Sequence, residues 1–342
     1  MKPALQDGRS ASRSQVWKQL WLTSMLVVTA GFSLMVGGSS IGPAEVMALA
    51  WGEASDSART IVLDIRLPRI LLAMLVGAGV AASGAVIQGL FRNPLADPAL
   101  IGVSAGAALF ASLFMLLGGT SAFAMLGLAG SAFTGGLLAT WIVLIVGQRG
   151  GGISTMLLAG IALNAIALSG VGLLSYLSSD VQLRSISFWA LGSLNGASWS
   201  GVIVALVIPV AIGFMLLSAR ALNIMTLGEE EARYLGVSQD KLRVRVILLS
   251  AVAVGVGVAL TGVIAFLGLI VPHLVRLMVG ARHEVLIPGS ALLGAFLLVL
   301  ADLFSRSVFA PAELPVGILT ALIGGPFFIY LIVSQQKERL TL

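Results

Sequence analysis

Residues able to do acid–base or metal chemistry are scarce in this 342-residue chain. There are two histidines, His273 and His283, and no cysteine, which excludes a disulfide framework and a thiolate metal site. No Asp, Glu, Lys or Arg falls in the middle of any long apolar stretch. We therefore expect no catalytic residue, no bound metal and no proton relay within the apolar part of the chain, and we interpret His273 as a structural residue.

The composition places the chain in a membrane. It is 58% hydrophobic and only 10% charged, with 41 glycines, whereas a soluble domain carries about 25% charged residues. The net charge of +5 admits two interpretations, a nucleic-acid partner or cytoplasmic loops enriched in Lys and Arg. We favour the second and expect no nucleic acid as a partner.

The apolar stretches predict an all-α protein of about ten transmembrane helices. A basic tail, residues 1–18, precedes a single membrane domain, residues 19–342. Stretch 246–279 is too long for one crossing at about 1.5 Å per residue, so we divide it in two at Gly262, Gly268 or Pro272. The predicted spans are 20–36, 70–90, 99–117, 123–146, 153–177, 201–219, two within 246–279, 286–303 and 314–334.

The positions of the basic residues support this count. With both termini in the cytoplasm, 15 of the 20 Lys and Arg residues fall on the inner side, as the positive-inside rule requires. Ser83-Gly84 is followed at Pro94 as Thr261-Gly262 is at Pro272, in spans of opposite direction. This spacing indicates inverted repeat halves, as in many transporters, although so short a match in a glycine-rich chain can also arise by chance.

The longest hydrophilic run inside the chain, residues 220–245, predicts a docking site for a partner. Residues 227–236 predict a short helix whose first turn is crowded with acidic residues, where the helix dipole favours them, and Gly236 is suited to end it. Leu227, Ala232 and Leu235 are expected to form a small apolar face. The alternative is a helix that lies on the membrane surface. The chain has no phosphate-binding G-x-x-x-x-G-K-[ST] segment, so any pumping must draw its energy from a partner.

Three arginines, Arg66, Arg69 and Arg306, lie at the outer ends of predicted spans. They could receive carboxylates of a docking protein through bidentate hydrogen bonds. The alternative is that they are solvated, or are paired locally with Asp64 or Asp302.

Long ordered motifs in the chain resemble one transporter family. RLPRILLAMLVGAGVAASGAVIQGLFRNPLADPALIGVSAGAAL (66–109), LGEEEARYLGV (227–237), GVIAFLGLIVPHLVRLMVG (262–280), ADLFSR (301–306) and ELPVGILTALIGGPFFIYL (313–331) are similar to the permease subunits of ATP-driven importers for iron chelates, haem and cobalamin. The resemblance implies a type II ABC importer permease of the bacterial inner membrane. It implies a homodimer around a central pathway, with two cytoplasmic ATPase subunits and a periplasmic binding protein as partners. The chain itself would be no enzyme and bind no cofactor, with ATP and Mg²⁺ held by the ATPase, and membrane lipid would surround it.

The resemblance also assigns roles to residues. It makes Arg66, Arg69 and Arg306 the contacts for the binding protein, and it makes loop 220–245 the ATPase-coupling element. It places the cytoplasmic gate in two stretches, the first internal turn and the residues that follow the glycine loop at 150–152. The gate residues in these stretches are Asn93, Leu95, Ser154 and Thr155. For them a helix-stopping turn and a helix cap are equally good interpretations. The coupling residues are Leu227, Gly228, Glu229, Glu230, Ala232, Leu235 and Gly236.

The most specific prediction from the sequence concerns the identity of the transported cargo. DVQLR (180–184) followed by SFWALGSL (187–194) resembles the haem permeases most, although this stretch could serve only to cap the fifth and sixth predicted spans at the membrane interface. A planar and largely apolar macrocycle suits a pathway without charges. We therefore expect haem, with ferric siderophore or cobalamin as the alternative. A secondary transporter that works without ATP is the competing class.

Overall fold

The computed structural model describes residues 4–37, 42–118, 124–149, 152–308 and 312–340, and the regular structure in these ranges is helical. A π-helical turn, Ile61–Arg66, joins α3 to α4, and a 3-10 turn, Pro98–Ile101, precedes α5. The α-helices are α1 Ala4–Met35, α2 Pro43–Trp51, α3 Asp56–Thr60, α4 Leu67–Leu90, α5 Val103–Leu116, α6 Ala124–Arg149, α7 Ile153–Leu177, α8 Asp180–Ala190, α9 Trp199–Ala205, α10 Val207–Leu216, α11 Ala219–Met225, α12 Glu229–Tyr234, α13 Gln239–Thr261, α14 Leu267–Met278, α15 His283–Ser307 and α16 Val316–Leu340.

Each of the ten predicted spans coincides with a helical segment. Within the described ranges six segments are long and apolar enough to cross a membrane, and three shorter apolar helices accompany them. The prediction for α7 agrees with the structure at both ends. Two boundaries differ. α1 begins at Ala4, so it takes in most of the basic segment predicted as a tail, and the span that contains α4 begins at Asp56 rather than at residue 70.

Residues 262–266 separate the two short spans predicted within 246–279. α13 ends at Thr261, and Gly262 has a φ of +71°, which disfavours residues with a side chain. A Cβ at Gly262 would lie 2.1 Å from the carbonyl oxygen of Trp189. Of the three proposed break points only Gly262 is the real one, because Gly268 and Pro272 both lie inside α14.

α4 is the central helix, and its glycines explain how closely its neighbours approach. It packs against α15, α13 and α14. A Cβ on Gly77 would lie 2.4 Å from the carbonyl oxygen of Gly294 in α15, and a Cβ on Gly84 would lie 1.7 Å from that of Gly268 in α14. Small residues let membrane helices pack at such short range.

The residues that suggested an internal repeat occupy different local structures. Gly84 lies inside α4 and Pro94 lies in the turn that follows it. Gly262 instead ends α13, while Pro272 lies inside α14. The matched spacing therefore does not mark equivalent positions, and the inverted repeat stays a prediction.

Candidate functional site

Most of the predicted coupling segment, 220–245, folds as two short helices, α11 and α12, joined by a tight turn, and its last residues begin α13. α12 begins after Gly228, whose φ is +137°, and its first turn carries Glu229, Glu230 and Glu231. At its end the N–H of Gly236 donates to the carbonyl of Arg233, and the N–H of Val237 donates to that of Ala232. This pair of bonds with a left-handed glycine is the Schellman motif, so the prediction that Gly236 ends the helix is confirmed.

The two sides of α12 have different roles, which corrects the predicted apolar face. Ala232 is fully buried against the membrane domain, whereas Leu227 and Leu235 are 64% and 59% exposed. Tyr234 is also exposed. A helix this short has one side toward the core and one toward the cytoplasm, so Ala232 anchors the helix while the leucines and the tyrosine are available to a partner.

α12 is bonded to the neighbouring inner segments. Arg92, in the turn after α4, forms an ion pair with Glu229, with 3.1 Å between Nη2 and Oε1. Gln239, at the start of α13, donates from Nε2 to the backbone carbonyl of Glu229. These contacts join the coupling segment to the end of α4, where the predicted gate begins.

The first of the two predicted gate stretches is the turn after α4. Asn93 Oδ1 accepts a hydrogen bond from the N–H of Leu95, at 2.9 Å, which fits its interpretation as a helix-stopping turn. Asp97 caps the following 3-10 turn by accepting from the N–H of Ala99, at 2.8 Å. Burial raises the pKa of the Asp97 carboxyl, and the hydrogen bond from Ala99 opposes this effect.

The second gate stretch lies at the start of α7, the helix that packs on this turn. Asn164 donates from Nδ2 to the carbonyl of Ala99, at 3.2 Å, and a Cβ on Gly160 would lie 1.8 Å from the carbonyl oxygen of Leu100. Ser154 and Thr155 lie in the first turn of α7, nearer its inner end, and the N-cap position is Gly152 rather than either of them. The fold therefore brings the two stretches to neighbouring elements, and their role in gating stays a prediction.

At the outer end, Arg69 is the centre of a buried polar cluster. Its Nε and Nη2 donate to Asp302 at 2.8–3.1 Å, and its Nη1 donates to Glu313 Oε2 at 2.9 Å and to Asn195 Oδ1 at 2.8 Å. Arg69 is 8% exposed and Asp302 is 1% exposed. The cluster links α4, α15, the segment before α16 and the loop before α9. The alternative of a local partner in Asp302 is confirmed for Arg69.

The other two predicted docking arginines are bonded to α1. Arg66 donates from Nη1 to the carbonyl of Leu34, and Arg306 donates from Nη2 to the carbonyl and the hydroxyl of Ser33. Both guanidinium groups also approach Gly37. They are 4% and 5% exposed, so a docking protein could contact them only if the end of α1 moved aside.

A cavity of about 920 Å³ opens near the outer end, between α6, α8, α9 and α13. Phe133, Trp189 and Val256 belong to its apolar wall, and hydroxyl groups such as those of Ser193 and Ser198 line its rim. Its lining includes no charged residue among those described. In the same described ranges no three His, Cys, Asp or Glu residues are grouped as a metal site would require.

α8, the helix of the predicted cargo stretch, is held firmly. Ser179 and Gln182 form a capping box, and Gln182 Nε2 also donates to the carbonyls of Met115 and Leu116 at the end of α5. These bonds hold α8 against α5 and are not caps of the fifth or sixth predicted span, so the capping interpretation stays a prediction. Phe188, however, is 58% exposed, so the helix also offers an apolar surface.

Some contacts in these candidate sites were not apparent from the sequence. Glu313, Asn195 and Ser33 complete the outer cluster, and each is distant in sequence from the arginine it bonds. The bond between Asn223 and the start of α15 joins residues 60 apart. The alternation of apolar and polar stretches could not reveal such pairs, because it carries no information about which helices are neighbours.

The fold and these surfaces define a multi-pass membrane permease, and its sequence contains no phosphate-binding G-x-x-x-x-G-K-[ST] segment. The chain matches the FecCD transport family over residues 25–334 and belongs to that family. It is therefore a transport subunit of an ABC importer, a system that in general includes a separate ATPase and a substrate-binding protein.

Individual relatives differ in the cargo for which they are named. The chain is 46% identical to the hemin transport system permease HmuU of Yersinia pestis, over 93% of this chain and 96% of that one. It is 41% identical to the cobalamin import permease BtuC of Halobacterium salinarum, over 83% and 76%, and 38% identical to the iron(3+)-hydroxamate permease FhuG of Bacillus subtilis, over 92% and 96%. A solved inward-facing structure of a metal-chelate type ABC transporter superposes with a TM-score of 0.83 at 37% identity, covering 92% of this chain and 98% of that one.

Proposed function

We propose that this permease carries haem across the inner membrane of a bacterium. The observation that carries the proposal is the 46% identity, over 93% of the chain, to a permease named for hemin transport. The absence of charged residues from α7 and from the described lining of the outer cavity supports it, since a large apolar macrocycle is not retained by charges there. Ferric siderophores and cobalamin are the alternative cargoes, in keeping with the names of other relatives.

The surface of α7 supports a pathway shared by two copies of the chain. Only 11% of the most apolar 18-residue stretch of α7 is buried within one copy, whereas 78% of the corresponding stretch is buried in the segment that contains α4. The exposed residues include Ile161, Leu168 and Leu173, together with the small polar Ser169. Lipid can cover the apolar part of this surface, and the small and polar residues on it suit a pathway between two copies at a two-fold axis. We place both termini in the cytoplasm, and ATP and Mg²⁺ on two ATPase subunits, with no cofactor on this chain.

Transport by purified components tests the cargo. Proteoliposomes that contain the permease, its ATPase and its binding protein are expected to take up haem only when ATP is supplied on the cytoplasmic side. Uptake of a ferric siderophore or cobalamin, without uptake of haem, would show that the cargo assignment is wrong. Haem uptake without ATP or the ATPase would instead favour a secondary transporter.

The exposed side of α12 is the proposed docking surface for the ATPase. Leu227, Tyr234 and Leu235 project from the cytoplasmic end, and apolar anchors of this kind carry much of the affinity of an interface. We expect the double variant L227D/L235D to lower ATPase affinity by at least about tenfold, because two desolvated leucines contribute well over about 1.4 kcal/mol.

Affinity of the ATPase for the permease in nanodiscs is the measurement. The matched control is Val181→Asp, which places the same side chain at an exposed apolar position on α8, at the opposite end of the molecule. Unchanged ATPase affinity in L227D/L235D would remove α12 as the docking surface.

The outer arginines remain the proposed contacts for the binding protein, now with the condition that they exchange partners. Acidic residues of that protein would have to replace the backbone and side-chain acceptors on α1 and α15. We expect Arg66→Gln to weaken the binding protein and to reduce the dependence of its affinity on salt, because one long-range charge interaction is lost. Titrations at two salt concentrations measure both effects. Exposed Arg59→Gln is the control, and an equal salt dependence in wild type and Arg66→Gln would contradict the proposal.

A further inference from the structure

The side chain of Asn223 joins the coupling segment to the start of a long membrane helix. Its Oδ1 accepts from the backbone N–H of His283, at 2.9 Å, and lies 2.8 Å from His283 Nδ1. Its Nδ2 donates to Glu284 Oε2, at 2.7 Å. Because Oδ1 can only accept, Nδ1 of the histidine carries the ring proton. The side-chain amide of Asn223 thus bonds the first two residues of α15, His283 through its oxygen and Glu284 through its nitrogen.

This contact replaces the cap that α15 lacks. The side chain of the N-cap residue, Arg282, caps no backbone N–H of the first turn and instead pairs with Glu284. The N–H of His283 is one of the first four of the helix, which have no partner within it, and Asn223 satisfies it. His283 is 3% exposed, so its backbone N–H has little access to water. The start of α15 therefore depends on a residue from a different part of the chain.

Asn223 belongs to a segment that is closely tied to α12. It lies on α11, only five residues before Gly228, and Leu222 and Met225 of α11 are buried. α11 contacts α4, α15 and α12. A displacement of α12 is therefore carried to α11 through a short turn that has little room to absorb it.

α15 extends from this contact to the outer cluster. Its 25 residues span about 37 Å at about 1.5 Å per residue, and near its outer end it carries Asp302 and Arg306. It packs along α4, at close range where Gly77 meets Gly294. One helix thus has the coupling segment at its inner end and the arginine cluster at its outer end.

We propose that Asn223 is a positioning residue that couples α12 to α15, so that ATP-driven movement of α12 reaches the outer cluster. The proposal rests on the proposed function of α12 as the ATPase-docking element. It predicts that loss of the Asn223 bonds separates ATP hydrolysis from transport while the ATPase stays bound.

Three variants of the complete transporter in proteoliposomes test the proposal. Asn223→Ala removes all the bonds and is expected to lower transport per ATP hydrolysed by about tenfold, a typical coupling between sites. Asn223→Asp keeps the acceptor for His283 but sets two carboxylates against each other, and is expected to lower the ratio too. The double variant N223D/E284Q lets the new amide donate to the new carboxylate, and is expected to restore the ratio. Ser131→Ala, which removes a bond between α6 and α5, is the control.

A second measurement follows movement of α15 directly. Because the chain has no cysteine, a single Phe304→Cys replacement gives one labelling site on the exposed side of α15, near its outer end. We expect ATP to change the label's environment in the otherwise wild-type complex and not in the Asn223→Ala background. The two backgrounds are compared in samples that keep the ATPase bound, which separates loss of assembly from loss of coupling.

Two outcomes would overturn the proposal. One is an unchanged transport ratio in Asn223→Asp, and the other is an unchanged label response in Asn223→Ala with the ATPase bound. Failure of the ATPase to depend on α12 would instead contradict the docking function on which the proposal rests.

Discussion

Asp302→Ala is expected to destabilise the protein by about 3–5 kcal/mol, the cost of removing one partner from a buried ion pair. Asp302 is 1% exposed and accepts three hydrogen bonds from Arg69, and Arg306 Nε lies 3.6 Å from its other side. Without the carboxylate, two guanidinium groups stay close together in a region that water reaches poorly. The effect is measured as a lower unfolding temperature and a lower yield in detergent.

Glu313→Gln is the matched control for Asp302→Ala. Glu313 also pairs with Arg69, at 2.9 Å, but its side chain is 33% exposed, so water can replace part of the interaction. Partly exposed pairs contribute about 0–1 kcal/mol, and the amide oxygen of Gln can still accept a hydrogen bond. Equal losses in the two variants would show that burial of Asp302 is not what makes its charge important.

Gly84→Ala is expected to have the second largest effect, a loss of about 3 kcal/mol, at the upper end of the range for overpacking. The added Cβ would lie 1.7 Å from the carbonyl oxygen of Gly268, an atom of the backbone that cannot rotate away. α4 and α14 would have to move apart, and the contacts between them would be lost along several turns.

Gly213→Ala on α10 provides the control for that substitution. A Cβ at Gly213 meets nothing within 4 Å, so Ala fits here without a clash. Ala also lowers the conformational entropy of the unfolded chain relative to Gly, which favours the folded state. We expect a gain of about 0.5–1 kcal/mol in the free energy of unfolding. Thermal unfolding of the two variants in the same detergent compares them. A loss of stability at Gly213 equal to that at Gly84 would point to a general intolerance of side chains in these helices rather than to close packing.

The sequence alone determined the class of protein and the number of spans. Apolar stretches of about 20 residues interrupted by polar turns have one stable arrangement in a bilayer, because each backbone N–H and C=O must be bonded within its own helix. The end of α12 was determined locally as well, since Gly236 adopts a left-handed conformation that few other residues tolerate. For the end of α13, by contrast, the sequence left three break points open, and the structure shows that Gly262 is the one used.

Only the tertiary structure decided which side chains meet. Arg69 and Asp302 are 233 residues apart, and His283 and Asn223 are 60 apart, so neither pairing follows from a local pattern. The structure also decided that Ala232 faces inward and that Arg66 and Arg306 are buried beside α1. The physical reason is that helix formation depends on nearby residues, whereas the partner of a polar side chain depends on which helices pack together. That packing is decided by shape, as where Gly77 allows α15 to approach α4.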